Sequence, residues 1–193
     1  MTQYNNLPLY YADVNEAEGI EIMSLVEYPA IEVDYVRFAK EFRLSTNDEK
    51  RIVCGPALIP DKPIYRRNDD GYEYYITFTK ESIRRLVEKF FQNGNQTSIN
   101  LEHSVDADNV VIFESYLVDK TRNICPVEFS DLPDGTWVIS AKINSDEVWE
   151  GIKAGKYNGF SIEGVLDVYT EPQQFHKQEE VIDSVENLLT KLN

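Results

Sequence analysis

Apolar residues recur along this chain with two periods, and most stretches follow the shorter one. Phe160, Ile162, Leu166 and Val168 share one parity, so a strand through them turns one apolar face inward and leaves Ser161, Glu163 and Asp167 as a polar row on the other. Leu7 to Tyr11 and Gly19 to Val26 read as two strands around an acidic connection, Asp13 to Glu18. Arg51 to Ile59 is a third, bent at Gly55-Pro56. After the rigid loop Pro60 to Pro63, the Asn68-Asp69-Asp70-Gly71 turn sends the chain back through Tyr72 to Phe78. Thr97 to His103, Val110 to Asp119 and Thr136 to Ile143 complete the set, with the turn Leu132-Pro133-Asp134-Gly135 before the last.

Helical spacing is rarer. Ile83, Leu86, Val87, Phe90 and Phe91 predict a helix over Lys80 to Gln92, with Thr79 as N-cap and Asn93-Gly94 as its stop. A shorter helix runs from Asp146 to Ala154, capped by Ser145, with Val148, Trp149 and Ile152 toward the core. Val181, Val185, Leu188, Leu189 and Leu192 mark a last amphipathic helix. Strands outnumber helices and no βαβ rhythm appears. The expected class is α+β, mainly β: a closed or strongly curved antiparallel barrel with a few surrounding helices. One domain is expected over 1–170, with a linker and C-terminal helix over 171–193.

Composition narrows the partners. The chain has 193 residues, 42% of them hydrophobic, enough for a sizeable core. Its formal charge of -15 argues against nucleic acid, whose binders concentrate Lys and Arg. No apolar run approaches the ~18 residues of a spanning helix, so no membrane partner is expected. The first residues, Met1 to Asn6, lack a signal-peptide pattern. Cys54 and Cys125 lie in apolar surroundings without metal-ligand spacing, which fits two free thiols and a reducing cytosol. No phosphate loop or Cys/His cluster is present, so no cofactor and no metal is expected.

Candidate chemistry rests on two histidines. His176 sits in a polar segment and reads as a solvated surface residue. His103 shares the face of Ile99 and Leu101, and on that pattern alone a core histidine satisfied by backbone is the better reading. Glu114 alters the weighing. It interrupts a strand that is apolar on both faces, where an unpaired carboxylate is costly. A two-residue loop at Asp108-Asn109 would set His103 directly opposite Glu114, and a four-residue loop would make them diagonal neighbours. Three- and five-residue loops would separate them. Ser161 as nucleophile, His103 as base and Glu114 as orienting anion would then form a Ser-His-acid set. Asp119, Asp167 and Glu163 are rival acids, and His176 could stand in for one.

Several multi-residue motifs carry a resemblance. Ser24-Leu25-Val26-Glu27-Tyr28-Pro29-Ala30-Ile31-Glu32 and the run Gly55 to Arg66 look like the opening of the XkdF-like phage serine proteases. Phe90 to Gln96, Asn100-Leu101-Glu102-His103-Ser104 and Gly159-Phe160-Ser161-Ile162-Glu163-Gly164 continue it, in order, over about residues 7–169. That family is similar to tailed-phage prohead proteases with the herpesvirus assemblin fold. The resemblance implies a small β-barrel ringed by helices and a Ser-His pair, which falls on Ser161 and His103, with a third member that varies. It implies a serine endopeptidase that cuts scaffold or capsid-protein segments during head assembly, with possible self-cleavage. Its partners would be the phage major capsid and scaffold proteins and a second copy of itself, inside the procapsid in the host cytoplasm. The alternative is a non-catalytic procapsid or head component that keeps the fold and acts by binding capsid protein. Glu114 does not come from the resemblance; it rests on strand parity.

Overall fold

Thirteen strands and two α-helices build the described part of the chain. The structure, a computed structural model, describes residues 2–14, 19–28, 50–68 and 70–172, and the backbone alone of 45–47. The proposed C-terminal helix, His176 and the division at residue 170 all depend on residues beyond 172, outside the described residues.

The strands fall into three sheets. One holds β1 (Gln3–Tyr4), β2 (Leu7–Val14), β7 (Glu73–Thr77) and β6 (Ile64–Arg67) in that order, with β13 (Leu166–Tyr169) also paired to β2. The second runs β10 (Val110–Leu117), β11 (Trp137–Ile143), β5 (Ile52–Leu58), β4 (Ser45–Asn47). The third runs β12 (Gly159–Gly164), β3 (Ile20–Val26), β8 (Ile99–Leu101), β9 (Val105–Asp106). The helices are α1 (Lys80–Gln92) and α2 (Asp146–Lys153).

The mainly β reading holds, but the closed or strongly curved barrel does not. No sheet among the described residues closes on itself or curls strongly, and β2–β7 and β3–β8 are parallel pairs in otherwise antiparallel sheets. The cause lies in the connections. Segments expected to pair as sequence neighbours are divided between sheets: β8 joins β3 and β9, whereas β10 joins β11. Strand parity fixes which face is apolar but says nothing about which edges meet.

The caps behave as their residue types dictate. Thr79 accepts from the Ser82 amide at the start of α1, and Ser145 accepts from the Val148 amide at the start of α2. Ile83, Leu86 and Phe90 of α1 are buried in the main core, and the Phe90 ring meets Trp137 edge-on at 5.4 Å between centroids. Met23, Leu25, Ile99 and Phe160 enter the same core from the third sheet. These residues alternate with a polar set, so burying them turns Ser24, Asn100 and Ser161 to the opposite face of that sheet. A smaller core of Ile59, Val118, Phe129, Leu132 and Val138 lies under Cys54, Tyr116 and Cys125, and both cysteines are free thiols.

Candidate active site

The third sheet presents one polar row across its four strands. Ser161 on β12 stands opposite Ser24 on β3, Ser24 pairs with Asn100 on β8, and Asn100 pairs with Asp106 on β9. Cross-strand partners point to the same side, so these four side chains share one face, with Glu163 two residues beyond Ser161. Ser24, Ser161 and Asn100 are buried polar residues, at 0%, 3% and 5% exposure.

His103 reaches this row from a turn rather than from a strand. The Ser104 amide donates to the Leu101 carbonyl, and Glu102 and His103 both take the left-handed conformation, at φ 51° and 56°. Two successive positive φ values are the mark of a type I′ turn, unusual for residues other than Gly, Asn or Asp. The turn is tied down: the Glu102 amide donates to the Leu25 carbonyl, and the Glu102 carboxylate accepts from the Glu27 amide at 2.6 Å. Strain of this kind persists where surrounding contacts impose it, and here it carries the only imidazole among the described residues.

Three side chains then converge on one carboxylate oxygen. Glu163 Oε1 accepts from Ser24 Oγ at 2.8 Å and from Asn100 Nδ2 at 2.6 Å, and lies 2.9 Å from His103 Nδ1. Ser24 Oγ is itself 2.9 Å from Nδ1. Since the Ser24 hydroxyl gives its proton to Glu163, it can only accept from the imidazole. Both contacts of Nδ1 therefore call for a proton there, which leaves Nε2 with a bare lone pair. Desolvation is the largest single influence on the Glu163 carboxyl and pushes its pKa up. The hydrogen bonds from Ser24, Asn100 and His103, with the attraction of the imidazole whenever it is protonated, outweigh it and hold the group below its ordinary value. An ionised acid, a fixed tautomer and a free ring nitrogen are what a general base requires.

The sequence-predicted residues divide accordingly. Ser161 and His103 lie in the same cluster, but the hydrogen bonds of His103 run to Ser24 and Glu163 and none runs to Ser161. Glu114 stands apart. It pairs with Ser140 on β11, and its carboxylate accepts from the Ser140 hydroxyl in the second sheet, beside Cys54 and Tyr116. The hairpin that would have set it against His103 does not form, because the tight turn falls at 102–103 and β9 ends before β10 changes sheet. Among the rival acids, Glu163 is the one that meets the imidazole. Asp119 caps the turn at 120–122, and Asp167 sits opposite Asp13 on β13. Parity already placed Glu163 on the Ser161 face. Ser24 and Asn100 also belong to the cluster; both lie within the resemblance motifs, but parity and spacing alone do not single them out.

A cleft of about 350 Å³, lined by Ile22, Thr97–Ile99 and Asp106–Asp108, adjoins the polar row and shares Asp106 with it. Its Ile22 stands opposite Glu163. A larger cavity, about 650 Å³, lies between α1 and the end of β10 and contains none of the cluster residues. No group of His, Cys, Asp and Glu among the described residues has the geometry of a metal site.

Two curated relatives come from Bacillus subtilis (strain 168). The chain is 33% identical over 141 residues to "Phage-like element PBSX protein XkdF", an alignment spanning 69% of this chain and 45% of that protein. It is 26% identical over 148 residues to "Uncharacterized protein YqbD", spanning 74% of this chain and 40% of that protein. The chain thus spans less than half the length of the relatives it matches. No solved structure matches it. Residues 40–170, about two thirds of the chain and including Asn100, His103, Ser161 and Glu163, match a family model described as "Putative phage serine protease XkdF". The chain belongs to that family.

Proposed function

We propose that this chain is a serine endopeptidase of phage head assembly, in which Ser161 is the nucleophile, His103 the general base and Glu163 the acid that orients it. The observation that carries the reading is the 2.9 Å contact of His103 Nδ1 with Glu163 Oε1 on the sheet face that bears Ser161. The Ser161 hydroxyl attacks a peptide carbonyl as its proton passes to the imidazole, and the same proton then goes to the leaving amine. A water molecule hydrolyses the acyl-enzyme by the reverse use of the base. Opposite residues on paired strands bring their Cβ atoms to about 5 Å, so Ser161 lies one strand from the serine that His103 touches. Catalytic hydrogen bonds in uncomplexed enzymes commonly tighten only when substrate binds.

The substrates in this reading are scaffold and capsid-protein segments, cut inside the procapsid in the host cytoplasm. Support comes from the family and from the resemblance to prohead proteases. One observation favours a second nucleophile: Ser24 Oγ lies 2.9 Å from His103 Nδ1. Against it, the Ser24 proton is already given to Glu163 and the residue is fully buried.

The test is co-expression with the capsid and scaffold proteins of the same phage, following their masses, for native chain and Ser161→Ala. Cleavage in the native chain that disappears in the variant is expected. A fluorophosphonate probe followed by peptide mass spectrometry should place the label on Ser161. Processing that continues unchanged in Ser161→Ala removes Ser161 as nucleophile, and a label on Ser24 replaces it. A native chain that neither cleaves nor labels favours the non-catalytic head component.

A further inference from the structure

From the convergence on Glu163 Oε1, we infer that Ser24 and Asn100 are positioning residues that clamp the orienting carboxylate and thereby fix the tautomer of His103. The inference rests on the catalytic reading above, in which the imidazole is the base.

Two observations carry it. Ser24 Oγ and Asn100 Nδ2 give two donors, at 2.8 and 2.6 Å, to the one carboxylate oxygen that also faces Nδ1. They arrive from adjacent parallel strands, Ser24 directly beside Asn100, so the backbone register of β3 and β8 sets both at once. The second observation is a cost. Asn100 is 5% exposed, and its Oδ1 is buried without a hydrogen-bond partner. A buried amide oxygen left unpaired is unfavourable, and flipping the amide would point that oxygen at the carboxylate. The arrangement therefore sacrifices one half of the amide to deliver the other half to Glu163, a pattern that structural packing alone gives no reason to keep.

The clamp works through the imidazole. With Oε1 held by two fixed donors, the carboxylate stays ionised and stationary, and the proton of His103 stays on Nδ1. Without the clamp, the carboxylate can rotate away or take up a proton, and the ring is free to place its proton on Nε2, where it can no longer accept from Ser161. Ser24 precedes the stretch matched by the family model, whereas Asn100 lies inside it. Among the described residues, the titratable groups at this cluster are His103, Glu163 and, beyond Asn100, Asp106, with Glu102 in the same turn bonded to the Glu27 amide.

Asn100→Asp is the sharpest variant, because it keeps the shape and replaces the donor by a second carboxylate. Two carboxyl groups this close share a proton, so the acid limb of the pH profile should move up by about one pH unit or more. Ser24→Ala should slow fluorophosphonate labelling of Ser161 about tenfold, and Ser24→Thr, which keeps the hydroxyl, should restore most of it. The profile is read as the labelling rate against pH. A second readout needs no activity: ¹⁵N spectra of histidine-labelled full chain report the tautomer of His103, expected as Nδ1–H in the native chain and mixed in Asn100→Asp and Ser24→Ala. Folding of each variant is checked by far-ultraviolet circular dichroism and its urea midpoint, and a variant that fails to fold is replaced by Ser24→Cys or Asn100→Ser. An unmoved acid limb with an unchanged Nδ1–H tautomer in folded variants overturns the clamp. A native chain that does not label while the tautomer responds to the substitutions sinks the protease reading and leaves the clamp standing.

Discussion

Ser24 and Ser161 stand directly opposite one another on β3 and β12, yet only Ser24 is hydrogen-bonded to the histidine. The two hydroxyls thus divide two tasks on one face. The Ser24 proton holds the Glu163 carboxylate, and in the proposed reading the Ser161 proton is the one the base takes when substrate arrives.

Glu163→Gln replaces the ionised acceptor by a neutral amide, whose oxygen accepts more weakly from Nδ1–H and offers the imidazolium no counter-charge. Cleavage by this variant should fall about 100-fold or more relative to the native chain, the scale at which orienting acids act. Glu114→Gln should leave the rate within about twofold and instead lower stability by about 1 kcal/mol, since its partner is Ser140. The two variants are compared on one substrate, with urea denaturation beside the rates. A severe rate loss in Glu114→Gln with Glu163→Gln active would reverse the assignment.

Acid should act on the same group. The folded-state pKa of Glu163 lies below its unfolded value near 4.5, so ionisation of this carboxylate stabilises the fold at pH values above the unfolded pKa. That contribution is lost as pH falls through the lower folded pKa. The stability difference between native chain and Glu163→Gln should therefore be constant at neutral pH and shrink below about pH 4.5. Curves that stay parallel down to pH 2–3 would rule this out.

Gly164 sets the place of the acid through close approach. A Cβ there would lie 1.9 Å from the Gly19 carbonyl oxygen, at the point where the β12–β3 register shifts between Glu163 and Gly164. Gly164→Ala must push the two strands apart or slide the bulge. A loss of about 3 kcal/mol is expected, with reduced activity in whatever fraction folds. A urea midpoint equal to that of the native chain would refute the strand contact.

Away from the site, Asp13 is the buried charge that matters most. Its side chain is 5% exposed and is held by the Arg85 guanidinium of α1 through both nitrogens of the fork. Arg85→Met keeps the length but leaves the carboxylate buried without that cation, which should cost about 3 kcal/mol. Asp13→Asn with Arg85→Met together should recover part of the loss, and a double-mutant cycle by urea denaturation measures the coupling.

Local patterns carried much of this structure. The span Lys80–Gln92 with its Thr79 cap, the hairpin returning through Tyr74 and Ile76, and the strand Trp137–Ile143 all follow from spacing and turn chemistry. The architecture was not legible in the same way, because parity is silent on which edges pair, and the two parallel pairings join segments far apart in sequence. The site shows the same division. Ser161 and His103 stood out by motif, and the parity of β12 put Glu163 beside Ser161. Glu114 looked attractive because it broke an apolar strand, but Ser140 and the second sheet already account for it. The decisive fact was a two-residue turn with positive φ at Glu102 and His103, residue types that give no hint of it.

The contacts that complete the cluster span the chain: Ser24 lies 79 residues from His103 and 139 from Glu163. Pairings of such range form late, after loop-closure entropy has been met by other contacts. If the cluster is catalytic as proposed, hydrolytic competence waits until the fold is essentially complete. In the proposed reading, a nascent or partly folded chain that has not yet paired β3, β8 and β12 lacks the assembled cluster and does not cut its neighbours.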